Sequence, residues 1–262
     1  MKKLFLLLSI SLFILSCQKR SPQFPAGRVI DLSHAFDAQT IYWPTEEGFK
    51  LEKEHDGVTP GGYYYAANKF CAPEHGGTHI DAPRHFAQSS YTVDQIPLDQ
   101  LMGAGIVVDV VKQCEGNRDY LVTTADLQNW ESQNGTIPQG AILLLRTGFA
   151  KHWPDRVKYM GTDERGAAAV AKLHFPGLSP EAARWLVANR AIKAVGLDTP
   201  SIDHGQSTLF ESHRALFERN VPAFENLADL SQLPAKGFSV VALPMKIAGG
   251  SGGPLRVLAI IE

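Results

Sequence analysis

The stretch HGGTHIDAPRH, from His75 to His85, restricts what this chain can fold into more than any other. It carries three histidines and one aspartate, interrupted by two glycines and a proline. A helix would align His75 with His79 at i, i+4. Glycine is a poor helix former, however, and proline removes a backbone donor and clashes with the preceding turn. An extended chain fits better. His75, His79, Asp81 and His85 are all odd-numbered, and residues two apart along a strand face the same side. A straight strand would hold His75 and His79 roughly 13 Å apart, so the chain must bend at Gly76-Gly77 for them to meet. Pro83 ends regular pairing and turns His85 back toward the others.

His75, His79 and Asp81 together make a donor set of two imidazoles and one carboxylate. That set holds a catalytic metal with one position open to water. It suits zinc, manganese or iron, since no thiolate forces the choice. Such an ion brings the pKa of its water to near 7. His85 lies close by and is not needed as a ligand. It is the candidate general acid or base. The bland alternative is a polar surface loop that happens to be rich in histidine.

The rest of the chain alternates β-like and helical runs. RVIDLS (28–33), GIVVDVV (105–111), AILLLRT (141–147), IKAVGLD (192–198), FSVVALPM (238–245) and LRVLAIIE (255–262) are rich in Val, Ile and Leu, and most are bounded by turn residues. SPEAARWLVANR reads as a helix capped by Ser179 with Pro180 at its first position. TADLQNWESQNG starts on a cap and ends on a glycine. Residues 207–220 form a third helical run, whose apolar stripe joins His213 to Leu209 and Leu216. The predicted fold is a mixed α/β (α+β) single domain around one large, barrel-like β-sheet with surrounding helices. At 262 residues and 44% hydrophobic, the chain can bury such a core unaided. A formal charge of −2 without a basic face argues against nucleic acid as a partner. The long stretch from Glu46 to Phe70 reads as a functional loop, partly strand at GGYYYAANKF.

The first residues, MKKLFLLLSISLFILSC, have the basic start, short apolar centre and small residue of a secretory signal. ILSC is similar to a bacterial lipobox. The expected organisation is a signal peptide over 1–16, a lipidated tether over 17–27 beginning at Cys17, and a folded domain over 28–262. That places the protein in the cell envelope, outside the cytoplasm, touching the membrane only through its lipid. The other two cysteines, Cys71 and Cys114, have two readings: a disulfide, or two free thiols.

His75-x-Gly77-Thr78-His79-x-Asp81-x-Pro83-x-His85 resembles the signature of the cyclase family of metal-dependent hydrolases. That family includes bacterial kynurenine formamidases and isatin hydrolases. FESHRALFERNVPAFENLADL, with His213 and Glu225 twelve apart, resembles the family's second pair of metal ligands. VGLDTPSIDHG, with Asp198, Ser201, Asp203 and His204, resembles a segment that shapes the pocket wall. KIAGGSGGPLRVLAI resembles the family's glycine-rich loop, with backbone N–H groups near the substrate. The resemblance implies one or two divalent ions, zinc or manganese, held by His75, His79, Asp81, His213 and Glu225, with His85 moving protons. It also implies a homo-oligomer, dimer or tetramer.

The implied activity is metal-dependent hydrolysis of a non-peptide C–N bond in a small aromatic amide, of the arylformamidase kind. Opening of a lactam such as isatin is the alternative. A non-catalytic metal-binding envelope lipoprotein is the reading of another class; it would predict low-complexity His-rich sequence. The pocket loop IYWPTEEG departs from the Pro-Gly-Asp of formamidases: Tyr42, Trp43 and Pro44 remain, but Thr45-Glu46 follows. Tyr42, Trp43 and the Tyr63–Tyr65 run are candidates to stack on an aromatic substrate, or else serve as core or subunit contacts. Residues 151–175 look longer than a formamidase needs.

Overall fold

A computed structural model describes residues 27–261. The expected signal peptide, Cys17 and nearly all of the tether lie outside the described residues.

The strands are β1 (Arg28–Asp31), β2 (Lys50–Val58), β3 (Tyr64–Cys71), β4 (His79–Asp81), β5 (Met102–Asp109), β6 (Leu121–Val122), β7 (Ile142–Arg146), β8 (Gly177–Leu178), β9 (Ala194–Leu197), β10 (Ala223–Glu225), β11 (Phe238–Pro244) and β12 (Gly252–Ile261). Strands β12, β11, β5, β7, β9, β10 and β4 pair in that order, and β4 pairs back onto β12, which closes a seven-stranded barrel. β5, β7, β9 and β10 run parallel, and the other pairings in the ring are antiparallel. One edge of β12 is shared: residues 252–254 take β4, and residues 258–261 take β1.

Alternation along the strands sorts two cores. Ile80, Val107, Leu144, Ala194, Phe224, Val240 and Val257, one from each barrel strand, pack together inside the ring. Residues of the opposite parity on the same strands, Leu143, Leu145, Val195, Leu197 and Ala223, face outward into a second core, under the helices. The helices are α1 (Val111–Gly116), α2 (Thr124–Asn134), α3 (Arg156–Met160), α4 (Ala167–Val170), α5 (Pro180–Asn189) and α6 (Glu211–Phe217). α5 begins as expected, with the Ser179 side chain accepting from the Ala182 N–H and Pro180 at the first position. α2 starts from a capping box between Thr123 and Asp126, one residue before the expected cap, and ends at Gly135.

Several expectations are corrected. β5 stops at Asp109, whose carboxylate takes the Val111 N–H, so Val111 opens α1 and does not extend the strand. β12 begins three residues earlier than Leu255, inside the glycine-rich segment. The helical run over 207–220 shrinks to α6: Phe210 sits at φ 49° just before it, and Leu209 is outside the helix and 64% exposed. Glu46–Phe70 is mainly not loop. β2 and β3 form an antiparallel ribbon with a bulge between Lys53 and His55. Tyr63, Tyr64 and Tyr65 are exposed on that ribbon, not in a core. Cys71 is exposed and Cys114 buried, both free, so they do not pair.

Candidate metal centre

The site lies on the outer face of the barrel, beneath α6. β4 and β10 pair antiparallel with His79 opposite Glu225 and Asp81 opposite Ala223. Ile80 and Phe224 point into the barrel, so His79, Asp81 and Glu225 all point out, as alternation requires. The bend before β4 falls where the glycines are. Gly77 has φ +57°, and a Cβ there would come within 2.6 Å of the Phe36 ring, so this turn needs glycine. Gly76 makes an isolated bridge to Tyr42, which pins the pocket loop to the histidine segment. His85 ends a short 3-10 turn that starts at Pro83.

Four groups converge. His213 Nε2 is 3.1 Å from both Asp81 Oδ2 and Glu225 Oε1. His79 Nε2 is 3.1 Å from Asp81 Oδ1 and 3.5 Å from Glu225 Oε2. All four residues are buried. Each imidazole is pinned from behind. Nδ1 of His79 donates to the Gly77 carbonyl at 2.9 Å, and the Asn226 amide donates to that same oxygen at 2.8 Å. Nδ1 of His213 faces Asp203 Oδ2 at 2.6 Å. A proton held at Nδ1 leaves the Nε2 lone pair facing the two carboxylates, the arrangement of metal-ligating histidines. His75 is half-buried, with Nδ1 2.7 Å from Asp81 Oδ1. His85 stacks on His75 at 3.8 Å between centroids and 20° between planes.

The electrostatics fit a cation. Burial alone would push His79 and His213 down. The carboxylates around them outweigh burial, so His79 lies above its usual value and His213 well above it. Asp81 is held well below the usual carboxylate range, against burial, by the histidines that face it. Burial and the Asp81 charge push Glu225 up. Two buried carboxylates this close need positive charge between them. Two donor groups could each hold an ion: His79, Asp81 and Glu225, and His75, Asp81 and His85. Asp81 belongs to both. The second group adds His85, which the sequence reading kept apart as a proton carrier. Burial drives His85 down to about 4, with Asp81 opposing, so it is a neutral imidazole at neutral pH.

These groups form the floor of a cavity of about 390 Å³ whose walls include Tyr42, Trp43, Phe86, Phe210 and Met160. A volume in this range, with aromatic and aliphatic walls over a polar floor, suits a small aromatic molecule that carries a polar group. Both expected aromatics, Tyr42 and Trp43, line it; Tyr63, Tyr64 and Tyr65 do not. Of the segment expected to shape the wall, Ser201 lines the cavity and Asp203 stands behind His213. Asp198 is elsewhere, accepting from the Thr147 and Gly148 N–H groups at 2.7 and 2.9 Å. The long segment over 151–175 contributes α3, whose Tyr159 hydroxyl donates to Asn226 Oδ1 at 2.9 Å. Phe86, Phe210, Met160, Asn226 and Glu74 were not singled out from sequence. Adjacency was the one signal available: Phe86 follows His85, Glu74 precedes His75 and Asn226 follows Glu225, while Phe210 and Met160 carried none.

An isatin hydrolase from Roseibium aggregatum is 31% identical over 208 residues, 76% of each chain. A kynurenine formamidase from Salinibacter ruber is 26% identical over 238 residues, 88% of this chain and 96% of that one. The structure of isatin hydrolase A from Ralstonia solanacearum superposes with a TM-score of 0.80 at 33% identity, covering 90% of this chain and 92% of that chain. Residues 30–204, which take in four of the seven barrel strands and the whole signature from His75 to His85, match the family described as "Putative cyclase". The chain belongs to the cyclase family.

Proposed function

We propose that this protein hydrolyses the amide C–N bond of a small aromatic substrate, with a fused lactam of the isatin kind as the first candidate. One observation carries the reading: Nε2 of His79 and His213 meets Asp81 and Glu225 on the floor of an aromatic-walled cavity. One or two divalent ions, zinc or manganese, held by His75, His79, Asp81, His213 and Glu225 would supply a Lewis acid for the carbonyl and lower the pKa of water. The protein's own groups do the rest. Tyr42, Trp43, Phe86 and Phe210 enclose the ring and exclude water. His85, as a neutral imidazole, accepts a proton from water and returns it to the leaving nitrogen. Water adds to the carbonyl carbon, the C–N bond breaks, and a carboxylate and an amine result. The higher identity to isatin hydrolases than to the kynurenine formamidase, and the altered IYWPTEEG loop, support the lactam.

An aryl formamide is the second reading, supported by the match to a kynurenine formamidase over most of both chains. A non-catalytic metal carrier finds no support, since the relatives named here are hydrolases. Protein loaded separately with zinc and manganese should be offered isatin and N-formylkynurenine beside a chelated control. Chelator-sensitive ring opening supports the lactam reading; formate release alone selects the second; turnover of neither rejects both substrates.

The reading also includes lipid attachment at Cys17, a location in the cell envelope, and a homo-oligomer in which the exposed Leu51, Tyr64 and Phe70 of the β2–β3 ribbon find cover. Radiolabelled palmitate should enter the wild type and not Cys17→Ser; equal labelling would reject the anchor.

A further inference from the structure

In the glycine-rich loop the backbone N–H of Ser251 donates to Glu74 Oε2, 3.0 Å away, on the wall of the cavity. The Ser251 hydroxyl donates to that same oxygen at 2.6 Å. It also lies 2.9 Å from Nε2 of His75, whose Nδ1 is 2.7 Å from Asp81 Oδ1. Four residues thus form one chain: Glu74, Ser251, His75, Asp81. The loop is shaped around it. A Cβ on Gly252 would sit 2.5 Å from the His75 ring, and one on Gly250 would sit 2.8 Å from Glu74 Oε1. The backbone is anchored as well, since the Ser251 carbonyl accepts from the Ala82 N–H at 2.8 Å, one residue beyond β4.

Proton counting fixes the direction of the chain. A hydroxyl has one proton and two lone pairs, and a carboxylate only accepts. The Ser251 proton goes to Glu74, so the hydroxyl can only accept from His75, and Nε2 must carry a hydrogen. With that nitrogen protonated, the neutral ring presents its lone pair at Nδ1, directly against Asp81 Oδ1. Two acceptors at that distance repel unless a positive charge joins them. His79 and His213 are fixed the other way, with Nδ1 held and Nε2 facing the carboxylates.

We propose that Glu74 is a positioning residue that acts through the Ser251 hydroxyl to hold His75 in its Nε2–H tautomer and so aim the Nδ1 lone pair at the shared metal position beside Asp81. This rests on the metal-site reading above, but its test needs no substrate. Outer groups that orient a metal-ligating histidine change affinity by about 10- to 100-fold. Glu74→Gln removes the charge that takes the serine proton, and Ser251→Ala removes the relay.

Zinc and manganese affinities of wild type, both single variants and the double variant should be measured by competition with a chromogenic chelator. Each single variant should lose at least about ten-fold. The double variant should lose no more than the worse single one, because the two residues act in series. In ¹⁵N-histidine NMR of the zinc-loaded protein, His75 should show the Nε2–H pattern in the wild type and lose it in both variants. Unchanged affinity in Glu74→Gln, fully additive losses, or an Nδ1–H pattern in the wild type would overturn the proposal. If Ser251→Ala does not fold, Glu74→Gln with the wild-type tautomer decides alone. Intact metal binding without amide turnover would reject the hydrolase reading and leave this one standing.

Discussion

Asp203 holds His213 at two points, accepting from its backbone N–H at 3.1 Å and from its Nδ1 at 2.6 Å. The carboxylate's other oxygen takes the Ser212 N–H at 3.2 Å. α6 is therefore tied down at the turn that aims His213 at Asp81 and Glu225. Against burial, these bonds keep the Asp203 carboxyl below its usual range, so it stays a charged acceptor. Asp203→Asn preserves the shape but offers an amide in its place and weakens the hold on the Nδ1–H tautomer. Metal affinity should fall about 10- to 100-fold, read by chelator competition. Undiminished affinity would mean that Asp203 only anchors the helix.

The His85 ring stacks on His75 and makes no side-chain hydrogen bond among the described residues, while its backbone N–H donates to the Ala82 carbonyl at 2.8 Å. A proton carrier removed from a hydrolytic site costs about 10²- to 10⁴-fold in turnover. His85→Ala should show that loss in kcat with metal content unchanged by mass spectrometry. Metal lost in step with activity would assign His85 to the ligands, as its grouping with His75 and Asp81 allows.

Gly76 lies flat against the Tyr42 ring: a Cβ there would come within 2.1 Å of it. Tyr42 is buried and forms part of the cavity wall. Gly76→Ala must push the ring aside, and neither residue belongs to the ligand set. The expected result is a raised KM for an aromatic substrate with near-normal metal affinity. A KM equal to wild type would show that Tyr42 does not shape the substrate's place.

The parity of His79 and Asp81 was legible because a strand of three residues with Ile80 in the barrel leaves no other choice of face. The strands rich in Val, Ile and Leu were legible as short apolar runs bounded by turn residues. The β2–β3 ribbon was legible only in part, at GGYYYAANKF, most of which becomes β3. Its apolar residues, such as Leu51, Val58 and Phe70, are scattered among polar ones and both faces are largely exposed, so no periodicity separates inside from outside. The outer supports were not legible. Glu74 meets Ser251 across 177 positions and Asn226 meets Gly77 across 149, and such pairs exist only once the barrel closes. Closure itself rests on Gly252–Pro254 pairing with β4, in a segment whose glycines suggested a loop.

His34 offers a test of the fold's response to acid away from the ligands. Its ring stacks on Trp153 at 4.2 Å and 7°, and its Nε2 is buried without a partner. Burial drives its pKa from 6.5 to about 4, with the Leu227 backbone bond and Asp31 opposing. The unfolded chain therefore takes up this proton first as pH falls. The stability contributed by the neutral ring is complete above about 6.5 and is lost progressively down to about 4. Within that window one such histidine tilts stability by at most about 1.4 kcal/mol per pH unit. His85 adds a slope of the same sign, while His213, raised by its carboxylates, contributes in the opposite sense at higher pH. His34→Phe keeps a ring against Trp153 and removes the titration. In urea unfolding of chelated protein at intervals from pH 7 to pH 4.5, the wild type should lose stability faster than the variant. Parallel curves would mean that His34 titrates in the fold as it does in the open chain.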